Sequence, residues 1–184
     1  MSLARRALLR SGLGLVAGAA GLAAAPLALA FPEASVRRLS FDNLHTGERL
    51  DVAYWENGAY VPDALAAVKR VLRDFRTGDE HFIEPGLLDL LTSLSGQVER
   101  RGAYKVISGY RSPLTNAMLH EHSGQVASGS LHMQGKAIDI SLDGVALPHL
   151  RDAALGLRRG GVGFYPTSGF VHVDVGRVRQ WNGA

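Results

Sequence analysis

The sequence contains no cysteine. The chain therefore forms no disulfide, offers no thiolate ligand to a metal, and cannot act as a thiol hydrolase. Any metal site must rely on histidine and carboxylate side chains. The sequence also has no Gly-x-Ser-x-Gly segment, so it lacks the nucleophile elbow that is typical of serine α/β-hydrolases.

The chain has no excess of either charge once its first thirty residues are set aside. The whole sequence carries a formal charge of +3, and residues 1–30 contain three arginines and no acidic residue. The remaining residues therefore contain equal numbers of basic and acidic side chains. Because nucleic-acid-binding domains carry a basic patch, we expect no nucleic-acid partner.

Residues 1–30 have the order of an export signal. A basic stretch at 4–10 precedes an apolar run at 12–25, and Pro26 breaks that run. The segment Ala28-Leu29-Ala30 then supplies the small residues that a signal peptidase requires. We predict an export signal at 1–30 and an exported, periplasmic protein.

The paired arginines Arg5 and Arg6 resemble a twin-arginine signal, which directs export of a folded protein. A Sec signal and an uncleaved membrane anchor are the two alternatives. Glycines and a proline interrupt the apolar run, and a cleavage site ends it. We therefore expect no stable membrane insertion after cleavage, and a single domain over residues 31–184.

The hydrophobic pattern of that domain predicts an α+β fold, with strands where apolar residues alternate and helices where they recur at helical spacing. The predicted strands are 35–41, 48–55, 105–108, 136–141, 162–165 and 170–175. Helices are predicted after residue 63, from about 85, from 113 to about 121, and from 147 to 159. We expect a small, largely antiparallel sheet with flanking helices.

One short segment concentrates groups that can bind a metal. In the strand 136–141, Ile138 and Ile140 point into a core, so Asp139 points to the opposite face. His132 lies just before this strand, and the turn at Gly135 can bring its ring beside the carboxylate.

The last strand has the same alternation, with valines on one face and His172 and Asp174 on the other. If this strand pairs with 136–141, two imidazoles and one carboxylate converge. A single histidine in a strand is usually structural, but three ligands with one open position are the arrangement of catalytic zinc. The spacing alone therefore leaves two interpretations open, structural histidines and a catalytic site for one zinc ion per chain.

Three segments carry a family resemblance, namely SLHMQGKAID at 130–139, GFVHVD at 169–174 and SGYRS at 108–112. They resemble motifs of the zinc peptidases of family M15. This group contains D-Ala-D-Ala metallopeptidases, lysostaphin-type enzymes and the hedgehog signalling domain. The resemblance covers most of the chain after residue 30, and it implies a fold of the hedgehog/D-Ala-D-Ala peptidase type.

The resemblance implies that His132, Asp139 and His172 are the zinc ligands. It also implies that Arg111 helps to polarise the scissile carbonyl, a role in which a guanidinium stabilises developing negative charge. The implied activity is hydrolysis of cross-links between peptidoglycan stem peptides. A D,D-carboxypeptidase and a non-catalytic zinc-containing binding module are the alternatives.

The general base is the point at which this sequence departs from better-known relatives. Several of them have a glutamate three residues before the last ligand or a histidine two before it, where this chain has Gly169 and Phe170. Asp174 is the candidate catalytic base, because it faces the same way as His172. The alternative is that Asp174 orients a metal ligand.

Overall fold

The structure is a computed structural model that describes residues 36–123 and 127–183. The predicted export signal at 1–30 lies outside these residues. Within them, no helix is both long enough and apolar enough to cross a membrane.

The described residues form eight strands, four helices and one 3₁₀ turn. The strands are β1 (Val36–Asn43), β2 (Arg49–Glu56), β3 (Ala59–Tyr60), β4 (Tyr104–Ser108), β5 (Ala137–Leu142), β6 (Gly161–Tyr165), β7 (Phe170–Asp174) and β8 (Arg179–Asn182). The helices are α1 (Pro62–Val71), α2 (Pro85–Gln97), α3 (Pro113–Ser123) and α4 (Leu147–Leu157), and the 3₁₀ turn is Leu131–Gln134.

All eight strands belong to one sheet, in the order β3-β2-β1-β4-β5-β7-β6-β8. The β1–β4 and β6–β8 pairs are parallel, and the other five pairs are antiparallel. The predicted α+β class and largely antiparallel sheet are thus confirmed, with the correction that the sheet is mixed.

Proline marks the start of three helices, because its fixed φ suits the first helical turn. Pro62, Pro85 and Pro113 are the first residues of α1, α2 and α3. Ser112 caps α3, since the Thr115 amide donates to the Ser112 hydroxyl at 3.2 Å.

A single apolar core is formed by the helices and the alternate residues of the central strands. Ile138 and Ile140 of β5 and Val171 and Val173 of β7 are at most 1% exposed within it. Burying these residues commits the intervening side chains of β5 and β7 to the other face of the sheet. The core therefore determines where the polar residues of these strands project.

Candidate metal centre

Strand pairing brings the first two predicted ligands together. Strands β5 and β7 are antiparallel neighbours, and Asp139 lies directly opposite His172 in their register. Side chains opposite each other on one face of such a pair are in contact. The separation between the Asp139 Oδ1 and His172 Nδ1 atoms is 2.8 Å.

The third ligand, His132, is held by the 3₁₀ turn that precedes β5. The Ser130 hydroxyl accepts a hydrogen bond from the His132 amide at 3.3 Å. Gly135 ends the turn in the left-handed region at φ 64°. A Cβ at Gly135 would also collide with the Phe82 carbonyl oxygen, so glycine is required on both counts.

The three ligand atoms form a compact triangle. His132 Nε2 lies 3.1 Å from His172 Nδ1 and 3.3 Å from Asp139 Oδ1. Ligand atoms each about 2.0–2.1 Å from one zinc ion, at tetrahedral angles, are about 3.3 Å apart. All three residues are buried, and they could hold a metal ion between them.

The outer nitrogen of each imidazole has its own hydrogen-bond acceptor. His132 Nδ1 lies 2.7 Å from the Gly109 carbonyl oxygen, and His172 Nε2 lies 3.1 Å from Asp174 Oδ2. Neutral imidazoles that donate to these oxygens turn their lone pairs inward, toward Asp139. Three electron-pair donors then face one point, which fits a cation at that point.

The electrostatics of the cluster favour a positive charge at its centre. Burial lowers the pKa of His132. Burial alone would raise the pKa of Asp139, but the two imidazoles outweigh it and hold that pKa below its ordinary value. Burial likewise opposes protonation of His172, but hydrogen bonds with Asp139 and Asp174 raise its pKa. A proton or a metal ion between the ligands is thus stabilised.

Asp174 lies behind His172 and is fully buried. Its Oδ1 accepts hydrogen bonds from the amides of Gly161 at 3.0 Å and Gly176 at 2.8 Å. The Arg179 guanidinium contacts both carboxylate oxygens, at 3.0 and 2.7 Å. Asp174 thus contacts Nε2 of His172, whereas Nδ1 of the same ring belongs to the triangle.

Two of the three β6 residues on this face are glycines, Gly161 and Gly163, and they explain how side chains of β8 reach β7. In the strand registers, Gly161 pairs with Arg179 and Gly163 with Trp181. A Cβ at Gly161 would collide with the Arg179 guanidinium, and one at Gly163 would lie 2.6 Å from the Trp181 ring. Side chains of β8 therefore cross β6 to contact residues of β7.

Arg111 lies beside the triangle, and at least one of its N–H donors has no acceptor among the described residues. One of its terminal nitrogens is 3.6 Å from Asp139 Oδ2 and 3.4 Å from the Ser108 hydroxyl. Burial lowers the pKa of this guanidinium. Its Nε is buried, and no group among the described residues accepts a hydrogen bond from it.

The triangle opens into a cleft of about 540 Å³. Charged, aromatic and small residues line it: Arg111, Leu119, Ala127, Gly129, Ser130, Leu131, His132, Asp139, Tyr165, Ser168, Phe170, His172, Arg179 and Trp181. Asp174 does not line this cleft. Trp181 lines this cleft, whereas Tyr110 stacks on His81 with ring centroids 4.7 Å apart.

The structure thus brings together four of the predicted site residues, His132, Asp139, His172 and Arg111, and places Asp174 one contact further out. Sequence reasoning missed Tyr165 and Arg179. The alternation Gly161, Gly163, Tyr165 is the signal for Tyr165, because it puts that residue on the face of the two glycines. Arg179 had no comparable signal, since its position depends on the parallel β6–β8 pairing.

The similarity of the chain to known proteins agrees with this arrangement. Residues 32–181 match the peptidase M15 family model described as peptidoglycan L,D-endopeptidase MepK. The chain belongs to this family, as the motifs at 108–112, 130–139 and 169–174 predicted.

Two similar proteins carry the same name as the family model. The peptidoglycan L,D-endopeptidase MepK of Escherichia coli K12 is 41% identical over 177 residues, which cover 96% of each chain. The probable peptidoglycan L,D-endopeptidase MepK of Haemophilus influenzae is 43% identical over 148 residues, which cover 80% of each chain. No solved structure shows significant similarity to the chain.

Proposed function

We propose that this protein is a zinc-dependent peptidoglycan endopeptidase that hydrolyses peptide cross-links of the bacterial cell wall. The observation that carries the proposal is the convergence of His132, Asp139 and His172 on one point at the base of an open cleft. The chain belongs to a family of peptidoglycan endopeptidases, and its relatives carry the same activity in their names.

His132, Asp139 and His172 would hold the metal. Two imidazoles and one carboxylate form a ligand set that zinc accepts in catalytic sites, where a fourth position stays open. When bound there, zinc would lower the pKa of a water ligand toward neutrality and polarise a carbonyl group. The cleft leaves the open position accessible to a peptide.

Arg111 would bind the scissile carbonyl oxygen. Its side chain is 12% exposed, lies beside Asp139 and lines the cleft. A buried donor of this kind stabilises negative charge that develops on the carbonyl oxygen. The negative charge of Asp139 balances the positive charge of the guanidinium when no substrate is bound.

Asp174 would act as a positioning residue. By accepting a hydrogen bond from His172 Nε2, it keeps the Nδ1 lone pair directed at the metal. Burial alone would raise the pKa of Asp174, but hydrogen bonds from His172, Arg179 and the two amides outweigh it and hold that pKa below its ordinary value. A carboxylate held this firmly as an anion is a poor proton acceptor.

The substrate would be a cross-link between peptidoglycan stem peptides, and the bond an L,D peptide bond, as in the names of the relatives. Residues 31–184 would form the single catalytic domain. Residues 1–30 would direct its export to the periplasm through a twin-arginine signal, which agrees with a substrate outside the cytoplasm.

Digestion of purified cross-linked muropeptides tests this function. The zinc-loaded domain is expected to split cross-linked dimers into monomers, as measured by mass spectrometry, and a chelator is expected to stop the reaction until zinc is restored. Release of single D-alanine residues without monomers would instead indicate a D,D-carboxypeptidase. Stoichiometric zinc binding with no cleavage of any muropeptide would indicate a binding module.

Two histidine variants make the test specific to the site. His132→Ala is expected to lose both zinc and cleavage, because it removes one of three ligands. His149→Ala is the matched control, since this residue is exposed on α4 and does not line the cleft. Full activity in His132→Ala would contradict the proposed site.

A further inference from the structure

Tyr165 is an aromatic residue in the cleft that the proposed mechanism has not used. It is the last residue of β6, two positions beyond Gly163, which lies opposite His172 in the β6–β7 register. Alternation along the strand puts the Tyr165 side chain on the same face as His172. The side chain lines the same cleft as the three ligands and Arg111.

The ring of Tyr165 is held on several sides. It stacks on Phe170 with centroids 4.5 Å apart and an interplanar angle of 19°. It also lies against Gly183, where a Cβ would collide with it. The Trp181 indole N–H donates a hydrogen bond to the Tyr165 hydroxyl at 2.9 Å. The phenol is therefore fixed by packing and by one directional hydrogen bond.

This hydrogen bond leaves the phenolic proton available. An indole N–H can only donate, so the Tyr165 oxygen must be the acceptor. No acceptor for the Tyr165 proton is present within residues 36–123 and 127–183. A donor that is fixed in place and has no acceptor in the described part of the chain is suited to an oxygen atom of a ligand.

The same residues connect this donor to the metal centre. The Trp181 ring centroid lies 5.1 Å from that of His172. The Tyr165 phenol is also near enough to Arg111 to contribute to the pKa of the guanidinium. Arg111 and Tyr165 are two of the hydrogen-bond donors that line the cleft, while Gly169 and Phe170 stand where several relatives have a base.

We propose that Tyr165 is a catalytic residue that donates a hydrogen bond to the scissile carbonyl oxygen, and that Trp181 is a positioning residue that orients the phenol. This inference rests on the proposed endopeptidase function. The phenol keeps its proton throughout, so no bond to the enzyme forms or breaks. Its contribution is greatest in the transition state, where the carbonyl oxygen carries the most negative charge.

The test compares Tyr165→Phe with wild type in the muropeptide assay. We expect kcat to fall on the order of 10²-fold, as for removal of one oxyanion donor, with KM and zinc content unchanged. Calorimetric binding of a phosphinic peptide analogue, whose tetrahedral oxygens resemble the transition state, is expected to weaken in the same variant. Tyr60→Phe is the matched control, because Tyr60 lies on β3, at the opposite edge of the sheet from β8, and its phenol donates to Asp89 of α2.

A double-variant cycle tests the role of Trp181. Trp181→Phe is expected to lower kcat in the wild-type background and to have little further effect in the Tyr165→Phe background, because it acts through the phenol. Additive losses would overturn the positioning role.

These experiments distinguish a failure of the Tyr165 proposal from a failure of the proposed function. If wild type cleaves muropeptides and Tyr165→Phe retains its kcat, the role of Tyr165 is wrong and the proposed function stands. Loss of zinc or of the folded state in Tyr165→Phe would assign this residue a structural role and overturn the inference. If zinc-loaded wild type cleaves no muropeptide, both proposals fail.

Discussion

Asp174 illustrates how one residue outside the ligand triangle can determine the state of a ligand. It accepts from His172 Nε2 at 3.1 Å, while Nδ1 of the same ring faces Asp139 at 2.8 Å. The carboxylate thus fixes which nitrogen carries the proton. An amide at this position can donate to Nε2 instead, which would place the proton on Nδ1.

Asp174→Asn is therefore expected to weaken zinc binding about 10- to 100-fold, the usual effect of losing a partner of a metal ligand. Competition with a chromophoric chelator measures this affinity. Asp143→Asn, at an exposed carboxylate paired with Lys105, is the control and should bind zinc as wild type does. Unchanged zinc affinity together with lost activity would contradict the orienting role and favour the general base instead.

For single residues, the sequence predicted the direction of a side chain wherever the alternation along a strand alone determines it. Ile138 and Ile140 are buried, so Asp139 had to project to the other face, and the valines of β7 placed His172 in the same way. The hydrogen bond between Asp174 and Arg179 could not be predicted. It depends on β8 crossing the glycines of β6, which no local pattern indicates.

The loop between α1 and α2 supports the segment that carries Arg111. The Tyr110 amide donates to the Leu72 carbonyl at 2.7 Å, and the Ser112 amide donates to Asp74 Oδ2 at 2.8 Å. Asp74 Oδ1 also accepts from the Arg76 amide at 2.9 Å. The loop thereby fixes the backbone on both sides of Arg111.

Asp74→Asn is expected to lower the free energy of unfolding by about 1–3 kcal/mol at pH 7, because a buried charged acceptor loses strength. Burial alone would raise the pKa of Asp74, but hydrogen bonds from Thr115, Ser112 and Arg76 outweigh it and lower that pKa. A group whose pKa is lowered by folding stabilises the protein above its unfolded pKa of about 3.9. The stabilisation is lost as the pH falls below that value.

Urea denaturation at pH 7 and at about pH 3.5 measures this difference. The gap between wild type and Asp74→Asn is expected to shrink at the lower pH. Asp79→Asn, at an exposed carboxylate in the same loop, should leave the stability unchanged. A gap that stays constant between the two pH values would contradict this role of Asp74.

Element prediction succeeded where strong local signals exist. Pro85 and the Ser112-Pro113 pair marked the starts of α2 and α3, and the turn between β6 and β7 was correctly placed. The two-residue strand β3, the strand β8 and the 3₁₀ turn were missed. They are short and partly exposed, so their structure follows from pairing with neighbours and not from periodicity.

At the scale of the whole molecule, the order of the strands brings residues from separate parts of the chain to the candidate metal centre. Strand β5 pairs with β4 on one side and with β7 on the other. The SGYRS segment follows directly from β4, and Arg179 and Trp181 come from the last strand, β8. Residues that are about 70 positions apart in the chain, Arg111 and Trp181, therefore line one cleft.

The order of the strands in the sheet could be predicted only in part. The α+β class and the antiparallel β6–β7 pair follow from alternation and from a short turn. The parallel β1–β4 and β6–β8 pairs join strands that are not consecutive in the chain, and their hydrophobic patterns do not specify a partner. Family motifs supplied the convergence of the ligands, which composition and spacing alone left open.

The central claim is that His132, Asp139 and His172 together bind one catalytic zinc ion. Anomalous diffraction at the zinc absorption edge, from crystals of the zinc-loaded protein, tests it most directly. We predict one anomalous peak per chain within bonding distance of His132 Nε2, Asp139 Oδ1 and His172 Nδ1, with no fourth protein ligand. A peak elsewhere in the chain, or no peak among these three atoms, would contradict the account.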